Sequence, residues 1–380
     1  PYPPNRGDKI RSYHIIRYLS QKHRISVACL IQSPKELPYV ESLKQYCYSV
    51  KAVLLKPLRS KVKSLIGLLG SDPLTLRHYL SKQLRKIAAD EVSKGNLDLI
   101  YVYSSSMAQY VTEYRDVKKI LDIVDVDSDK WYQYSKYANF PLSLIYKLEG
   151  NRMRRYEMEI VGRFDKCIVI SEVERDLLRS YAPHADIAVI PNGVNHEFLK
   201  PGEGKREPHT LIFTGVMDYY ANVDGVLYFH RQILPQIRGE IPDVKFYVVG
   251  SNPVKEIRRL AERDKNVIVT GFVEDVRPYQ SKAAVCVVPL RIARGIQNKI
   301  LEAMSMELPV VTTSRAFEGI NAEPGRHLFV EDDPSKFAQR VIELLKDREL
   351  REQIARNARQ LILERYDWDN CLAKLDQIIT

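Results

Sequence analysis

Long apolar runs are missing from this 380-residue chain, and no stretch approaches the roughly 20 residues that a membrane-spanning helix needs. Glycine (17) and proline (20) are scattered rather than clustered, which excludes collagen-like and low-complexity chains. Cysteine is sparse. Cys29, Cys47, Cys167, Cys286 and Cys371 are isolated, odd in number and form no C-x-x-C pair, so a disulfide framework and a cysteine metal site are both unexpected. N-x-S/T sequons are absent too, and a reducing, cytoplasmic compartment is expected. Neither G-x-G-x-x-G nor G-x-x-x-x-G-K-S/T occurs, which removes the dinucleotide fingerprint and the P-loop. No signal peptide is visible, and the chain opens on Pro1.

What remains is an ordinary globular composition, 45% hydrophobic and 28% charged, at a length that predicts two domains. The net charge of +10 is lopsided. Residues 1–100 hold 18 Lys/Arg against 7 Asp/Glu, whereas the other 280 hold 40 against 41. Residues 42–89 carry ten basic residues and one acid, Asp72. A patch of one sign points to an anionic partner.

Short apolar runs alternate with amphipathic stretches. Strands are predicted at 24–31, 49–55, 98–104, 118–126, 165–171 and 186–190, with helices at 36–46, from Asp72-Pro73 to about Lys94, and at 142–162. Residues 199–209, LKPGEGKREPH, form a polar linker. The alternation then restarts, with strands at 209–215, 244–250, 266–271, 284–290 and 309–313. Helices are expected at 222–238, 254–263, 275–283, 297–306, 334–346, 348–365 and 367–379. Continuous apolar strands separated by helices imply parallel sheets covered on both faces, an α/β fold with two similar halves. The opening PYPPNRGD leads into a helix with no strand before it, so the first strand of the first half is expected to be missing.

In such sheets ligands bind where strand carboxyl ends meet helix N-termini. TGVMDYYANVD (214–224) is such a junction: Gly215 permits close approach of a ligand, and Asn222 suits an N-cap, although a plain turn would look the same. PLRIARGIQNKILEAMSMELPVV (289–311) runs strand, loop, helix, strand. Lys299 and Glu302 lie one turn apart there. A lysine suits a diphosphate and a carboxylate suits ribose hydroxyls, and a helix-surface ion pair is the plain alternative. KPLRSKVKSLIGLLG (56–70) places Lys56, Arg59, Lys61 and Lys63 before an apolar run. It reads either as a segment lying on an anionic membrane surface or as a solvated face over a small core. Asp125 and Asp127 form D-V-D with Asp129 close by, and these acids either orient a substrate hydroxyl or cap a strand end. His14 and His184 read as structural.

Taken together, FTGVMDYYANVD, ISEVERDLL (170–178), VIPNGVNHEF (189–198), VTGFVEDV (269–276) and ILEAMSMELPVV (300–311) resemble the family 4 retaining glycosyltransferases of the GT-B fold over nearly the whole chain. PYPPNRGDKIRSYH, LDIVDVDSDKW (121–131) and RIARGIQNKILEAM (291–304) are similar to the sugar transferases of exosortase/PEP-CTERM exopolysaccharide systems.

The resemblance implies two Rossmann-like domains. Residues 1–198 would be the acceptor side, 199–364 the donor side, and 365–380 a C-terminal helix returning to the first domain. It implies metal-independent, retaining transfer from a UDP-sugar or GDP-sugar to a glycan or lipid-linked acceptor, with no further cofactor. Glu302 would bind the ribose, Gly215 and Gly7 would lie by the diphosphate, and Gly271, Phe272 and Val273 would line the base. The loop of Arg294, Gly295, Ile296 and Gln297 would complete the donor site. Lys299 would neutralise the leaving group, and Asp125 and Asp127 would face the reacting hydroxyl. Two departures stand out. Arg294 occupies the position of the first acid of the family's glutamate pair, and the basic residues that usually follow the Gly215 equivalent are absent. Trp368 would pack at the domain junction. A nucleotide-sugar epimerase of the same fold and a non-enzymatic basic protein binding nucleic acid or membrane are the rival readings. Nucleic acid is disfavoured because no aromatic platform or zinc finger accompanies the basic patch.

Overall fold

The computed structural model describes residues 1–3, 7–55, 67, 70–202, 206–293 and 295–379. Lys56, Arg59, Lys61, Lys63 and Arg294 therefore lie outside the described residues. The chain divides into two compact units, Pro1–Pro191 with Leu372–Thr380, and Asn192–Cys371.

In the first unit the strands form two sheets. β1 (Ser26–Ile31) and β2 (Ser49–Leu54) pair in parallel, Ser26 opposite Ser49. β3 (Leu99–Tyr103), β4 (Lys118–Val124), β5 (Lys166–Val169) and β6 (Ile187–Val189) make a four-stranded parallel sheet in that order. Ile120, Leu121, Ile123, Cys167, Ile168 and Val169 fill its core, which is why these strands read as unbroken apolar runs. The buried Arg11, on helix Gly7–Ser20, donates from Nε to Asp122 Oδ2 (2.9 Å) and from Nη1 to the Ile190 carbonyl (3.0 Å). The terminal helix Lys374–Ile379 packs in this unit, where Tyr18 Oη donates to Asp376 (2.8 Å) and Lys118 Nζ to the Ile379 carbonyl (3.0 Å).

The second unit holds one six-stranded parallel sheet. β7 (Thr210–Thr214), β8 (Lys245–Val249), β9 (Val267–Gly271), β10 (Val285–Val288), β11 (Val310–Thr312) and β12 (Phe329–Val330) are ordered β12-β11-β10-β7-β8-β9. Every residue of the central β7 and β10 is buried.

Three predicted helices differ from those found. The helix expected from 72 to 94 is two, Leu74–Tyr79 and Lys82–Val92. Ser81 is extended and its hydroxyl caps the second by accepting from Leu84 N, the alternative that serine offers to a continuing helix. Nor does Asp72 cap the first: the buried Glu149, 75 residues away, accepts from Leu74 N (2.7 Å) and Thr75 N (2.8 Å). The helix expected at 367–379 is likewise two, Trp368–Leu372 and Lys374–Ile379. The helix expected at 222–238 begins at Tyr220 and passes through a π-helical turn at Phe229–Ile233, ahead of Pro235, which cannot donate an amide to a regular helix.

Candidate functional site

The loops that leave the carboxyl ends of β7, β8 and β10 converge in the second unit. Gly215 follows β7 and Gly250 follows β8. A Cβ on Gly250 would lie 1.7 Å from the Gly215 carbonyl oxygen, so no side chain fits there. A Cβ on Gly215 would meet Asn222 Nδ2 at 2.7 Å and Lys299 Nζ at 3.1 Å. A turn without side chains thus stands beside an ammonium group, leaving room for an anion next to the cation, while the Gly215 N–H itself donates to the Val249 carbonyl (3.0 Å).

Lys299 projects from helix Asn298–Ser305. Its Nζ donates to Asn222 Oδ1 (2.6 Å) and stands 4.3 Å from the centre of the Phe213 ring. Burial pushes the ammonium down to about 8, against the opposing pull of Cys286 and Glu302. Glu302, one turn on, is pushed up by burial, with Lys299 pulling it back. The pair is therefore poorly solvated, and an anion arriving beside Lys299 meets a charge that water screens weakly.

Asn222 is not the expected N-cap. Tyr219 occupies that place, while the buried Asn222 side chain lies inside the first turn, donates to the Val216 carbonyl (2.9 Å) and accepts from Lys299. Gly250 and Phe213 are the neighbours of Lys299 and Gly215 that sequence reasoning missed, and Asn222 was singled out there only as a cap. A glycine closing an apolar run, as in VVG, was the available signal for Gly250.

The loop between β10 and helix Asn298–Ser305 turns at Gly295, whose φ of 62° is left-handed. Ile296 is buried beneath it, and Gln297 Nε2 donates to the Gly295 carbonyl (3.4 Å). Arg291 is engaged elsewhere, with its Nε on Asp224 (3.0 Å) and its guanidinium over Tyr228. Gly271 ends β9 with φ 70°, followed by the half-buried Val273 and by Phe272, 70% exposed. Asn192 Nδ2 donates to Asn298 Oδ1 (3.0 Å), tying the PNG turn to the lysine's helix. Gly193 packs so tightly on Trp368 that a Cβ would lie 2.7 Å from its Cα. Trp368 thus seals the chain's entry and exit within this unit.

A second cluster sits in the first unit, where Gly7 is the first residue of its helix. Val124 closes β4 with φ 68°, a rare and costly conformation for a β-branched residue, and Ser104 follows β3 with φ 77°. The half-buried Asp125 comes next. Asp127 opens helix Asp127–Tyr137 and accepts from Ser105 Oγ (2.6 Å) and Lys130 Nζ (2.8 Å). Asp129 accepts from Gln133 Nε2 (2.8 Å). Two buried carboxylates brace the turn from other helices: Glu174 accepts from Val126 N (2.7 Å) and Glu157 from Ser128 N (3.0 Å). Burial, helped by Asp127, pushes Glu157 up to about 7. His14 is buried against Tyr13, and His184 is exposed.

Known proteins match both units. A family model described as glycosyltransferase family 4 matches residues 10–198, and one described as glycosyl transferases group 1 matches residues 208–347. An uncharacterized 44.6 kDa protein in the cps region of Klebsiella pneumoniae is 24% identical over 385 residues, 97% of this chain and 94% of that one. Among solved structures, sucrose-phosphate synthase from Thermosynechococcus elongatus superposes with a TM-score of 0.73 at 16% identity, covering 98% of this chain and 92% of that one. Anabaena Alr3699/HepE, in complex with UDP and glucose, gives 0.63 at 14% identity, covering 93% and 98%. With its two parallel α/β units and a glycosyltransferase model on each, the chain belongs to the GT-B glycosyltransferases of the family 4 and group 1 type.

Proposed function

We propose that this glycosyltransferase moves a sugar, with retention and without a metal ion, from a UDP-sugar or GDP-sugar to a glycan or lipid-linked acceptor. The work would be done in exopolysaccharide biosynthesis, of the exosortase-associated kind, on the cytoplasmic face of a membrane. The observation that carries the reading is Lys299, poorly solvated and fixed by Asn222 beside the bare turns of Gly215 and Gly250. A departing diphosphate needs a cation already in place beside it, and Lys299 supplies one without reorganisation. Glu302, on the same helix face, takes the ribose hydroxyls. Gly271, Phe272 and Val273 offer the base an exposed aromatic surface at the neighbouring strand end. Arg294, Gly295, Ile296, Gln297 and Gly7 are the further residues we assign to the donor. In the first unit Asp125 and Asp127 orient the acceptor hydroxyl. The basic segment of Lys56, Arg59, Lys61 and Lys63 attracts an anionic membrane surface, where a lipid-linked acceptor would be found. Two similarities support the reading: a relative encoded in a cps region, and a fold neighbour solved with UDP and glucose. Among the described residues no helix is long and apolar enough to cross a membrane.

A thermal-shift screen against UDP, GDP, ADP and their sugars tests the donor, with a rise of several degrees expected for one base. Product analysis with and without EDTA then tests anomeric retention and metal independence. Stabilisation by no nucleotide diphosphate, or epimerised donor without transfer, removes the reading.

A further inference from the structure

The first unit carries a helical hairpin of helices Asp127–Tyr137 and Leu142–Val161, joined by residues 138–141. Its base is well packed. Tyr132 Oη donates to Asn151 (2.7 Å), and the Trp131 ring lies 5.5 Å from Tyr146 and 5.8 Å from Tyr134. Its tip differs. Phe140 is 82% exposed, Leu144 61%, Leu142 51% and Tyr137 44%, and no residue from 136 to 148 is buried. Exposed apolar side chains at this density mark a contact surface.

The charge around the tip selects the partner. Residues 130–148 contain Lys130, Lys136 and Lys147 but no Asp or Glu, together with Trp131, Tyr132, Tyr134, Tyr137, Phe140 and Tyr146. Apolar groups at the end, amphipathic rings behind them and lysines that can extend past both are the chemistry of a lipid–water interface. A second copy of this chain is a poor occupant, because a two-fold contact would bring Lys136 and Lys147 onto the same like-charged tip.

We propose that residues 136–147 form a membrane-docking element, with Phe140, Leu142 and Leu144 entering the interface of an anionic bilayer and Lys136 and Lys147 resting on its headgroups. The inference deepens the membrane-proximal part of the proposed function and rests on that reading only for the presence of a nearby membrane. It assigns insertion to the hairpin and leaves 56–63 as a separate electrostatic contact.

The test is co-sedimentation of the full chain with phosphatidylglycerol-containing vesicles and with pure phosphatidylcholine vesicles. The triple variant F140S/L142S/L144S should lose up to about a thousandfold in partitioning to both, since each apolar side chain leaving water contributes about tenfold and the three factors multiply. Its melting temperature should stay within a degree or two, because these side chains are exposed. Lys136→Gln with Lys147→Gln should lower binding to the anionic vesicles alone. Phe140→Trp should show a blue-shifted emission with vesicles that brominated lipids quench. Equal binding by the triple variant, no shift for F140W, or no binding of the wild type to either vesicle overturns the proposal. So does a triple variant that changes only the oligomeric state, since the tip would then be a contact between copies. Nucleotide binding, measured on the same samples, fails or succeeds independently and keeps the donor assignment separate.

Discussion

Lys299→Met is the sharpest test of the donor site. Methionine keeps the reach of the stem and removes the charge, leaving Asn222 Oδ1 without its donor and a thioether above the Phe213 ring. A charge-assisted hydrogen bond to phosphate is worth about 1.5–3 kcal/mol, so nucleotide diphosphate affinity should fall by about 10–150-fold. The wild type carries a second signature. With the ammonium pushed down to about 8, the free site loses its charge as pH climbs from 8 toward 10, and affinity should fall with it, whereas the variant should be both weak and flat. The bound diphosphate favours the charged lysine, so the decline begins somewhat above 8 in the complex. Stability moves the other way. Between about 8 and 10.5 the unfolded chain holds the lysine proton that the folded chain has released, so the wild type gains stability over the variant as pH rises through that window. Isothermal titration with UDP and GDP from pH 7 to 9.5, alongside urea melts, measures both. Equal affinity of the two proteins, or equal pH slopes, would refute the role given to Lys299.

Three further substitutions probe the same geometry. Gly250→Ala puts a methyl 1.7 Å from the Gly215 carbonyl and should cost about 3 kcal/mol or more by urea melting, because backbone on both sides must move. Glu302→Ala should leave the melting temperature nearly unchanged and abolish any preference for UDP over its 2′,3′-dideoxy analogue, and a preference that survives places the ribose elsewhere. Glu157→Gln addresses the first unit. With its folded value up at about 7 against an ordinary 4.5, Glu157 contributes stability below pH 4.5 that is lost as pH rises through 7, about 3 kcal/mol in all. Relative to the wild type, E157Q should therefore be more stable at pH 8 than at pH 5, and parallel urea curves for the two proteins at both pH values would contradict that.

The sheets were legible because parallel strands buried on both faces leave continuous apolar runs, and each predicted strand has its counterpart in β1 to β11. What escaped was non-local. The turn at Leu74 is capped by Glu149, 75 residues away, which no local pattern reports. Asn222 has the residue type of an N-cap, and only the fold reveals that its partner is Lys299, 77 residues on. The helix break at Ser81 was written in a single serine that an amphipathic pattern outweighed. Around Lys299 the proximity of Glu302 was readable, since helical spacing is local. The contact of Gly215 with Gly250 depends on the pairing of β7 with β8 and was not.

The places where the chain accepts unfavourable local energies cluster at strand ends. Four non-glycine residues among those described have left-handed backbones. Glu307 follows the end of helix Asn298–Ser305. The other three lie at the carboxyl ends of strands: Val124 is the last residue of β4, and Ser104 and Asn252 follow β3 and β8. Lys299, held against its solvation preference, lies beside the turn that leaves the same end of β7. Such conformations cost about 1–3 kcal/mol each and persist only when the surroundings over-determine them. At Val124 the surroundings do so: Glu174 holds Val126 N, Glu157 holds Ser128 N, and Ser105 with Lys130 holds Asp127. A sheet needing only stability would place ordinary turns there, and both units instead concentrate strain and desolvated charge on the edge where parallel sheets bind ligands.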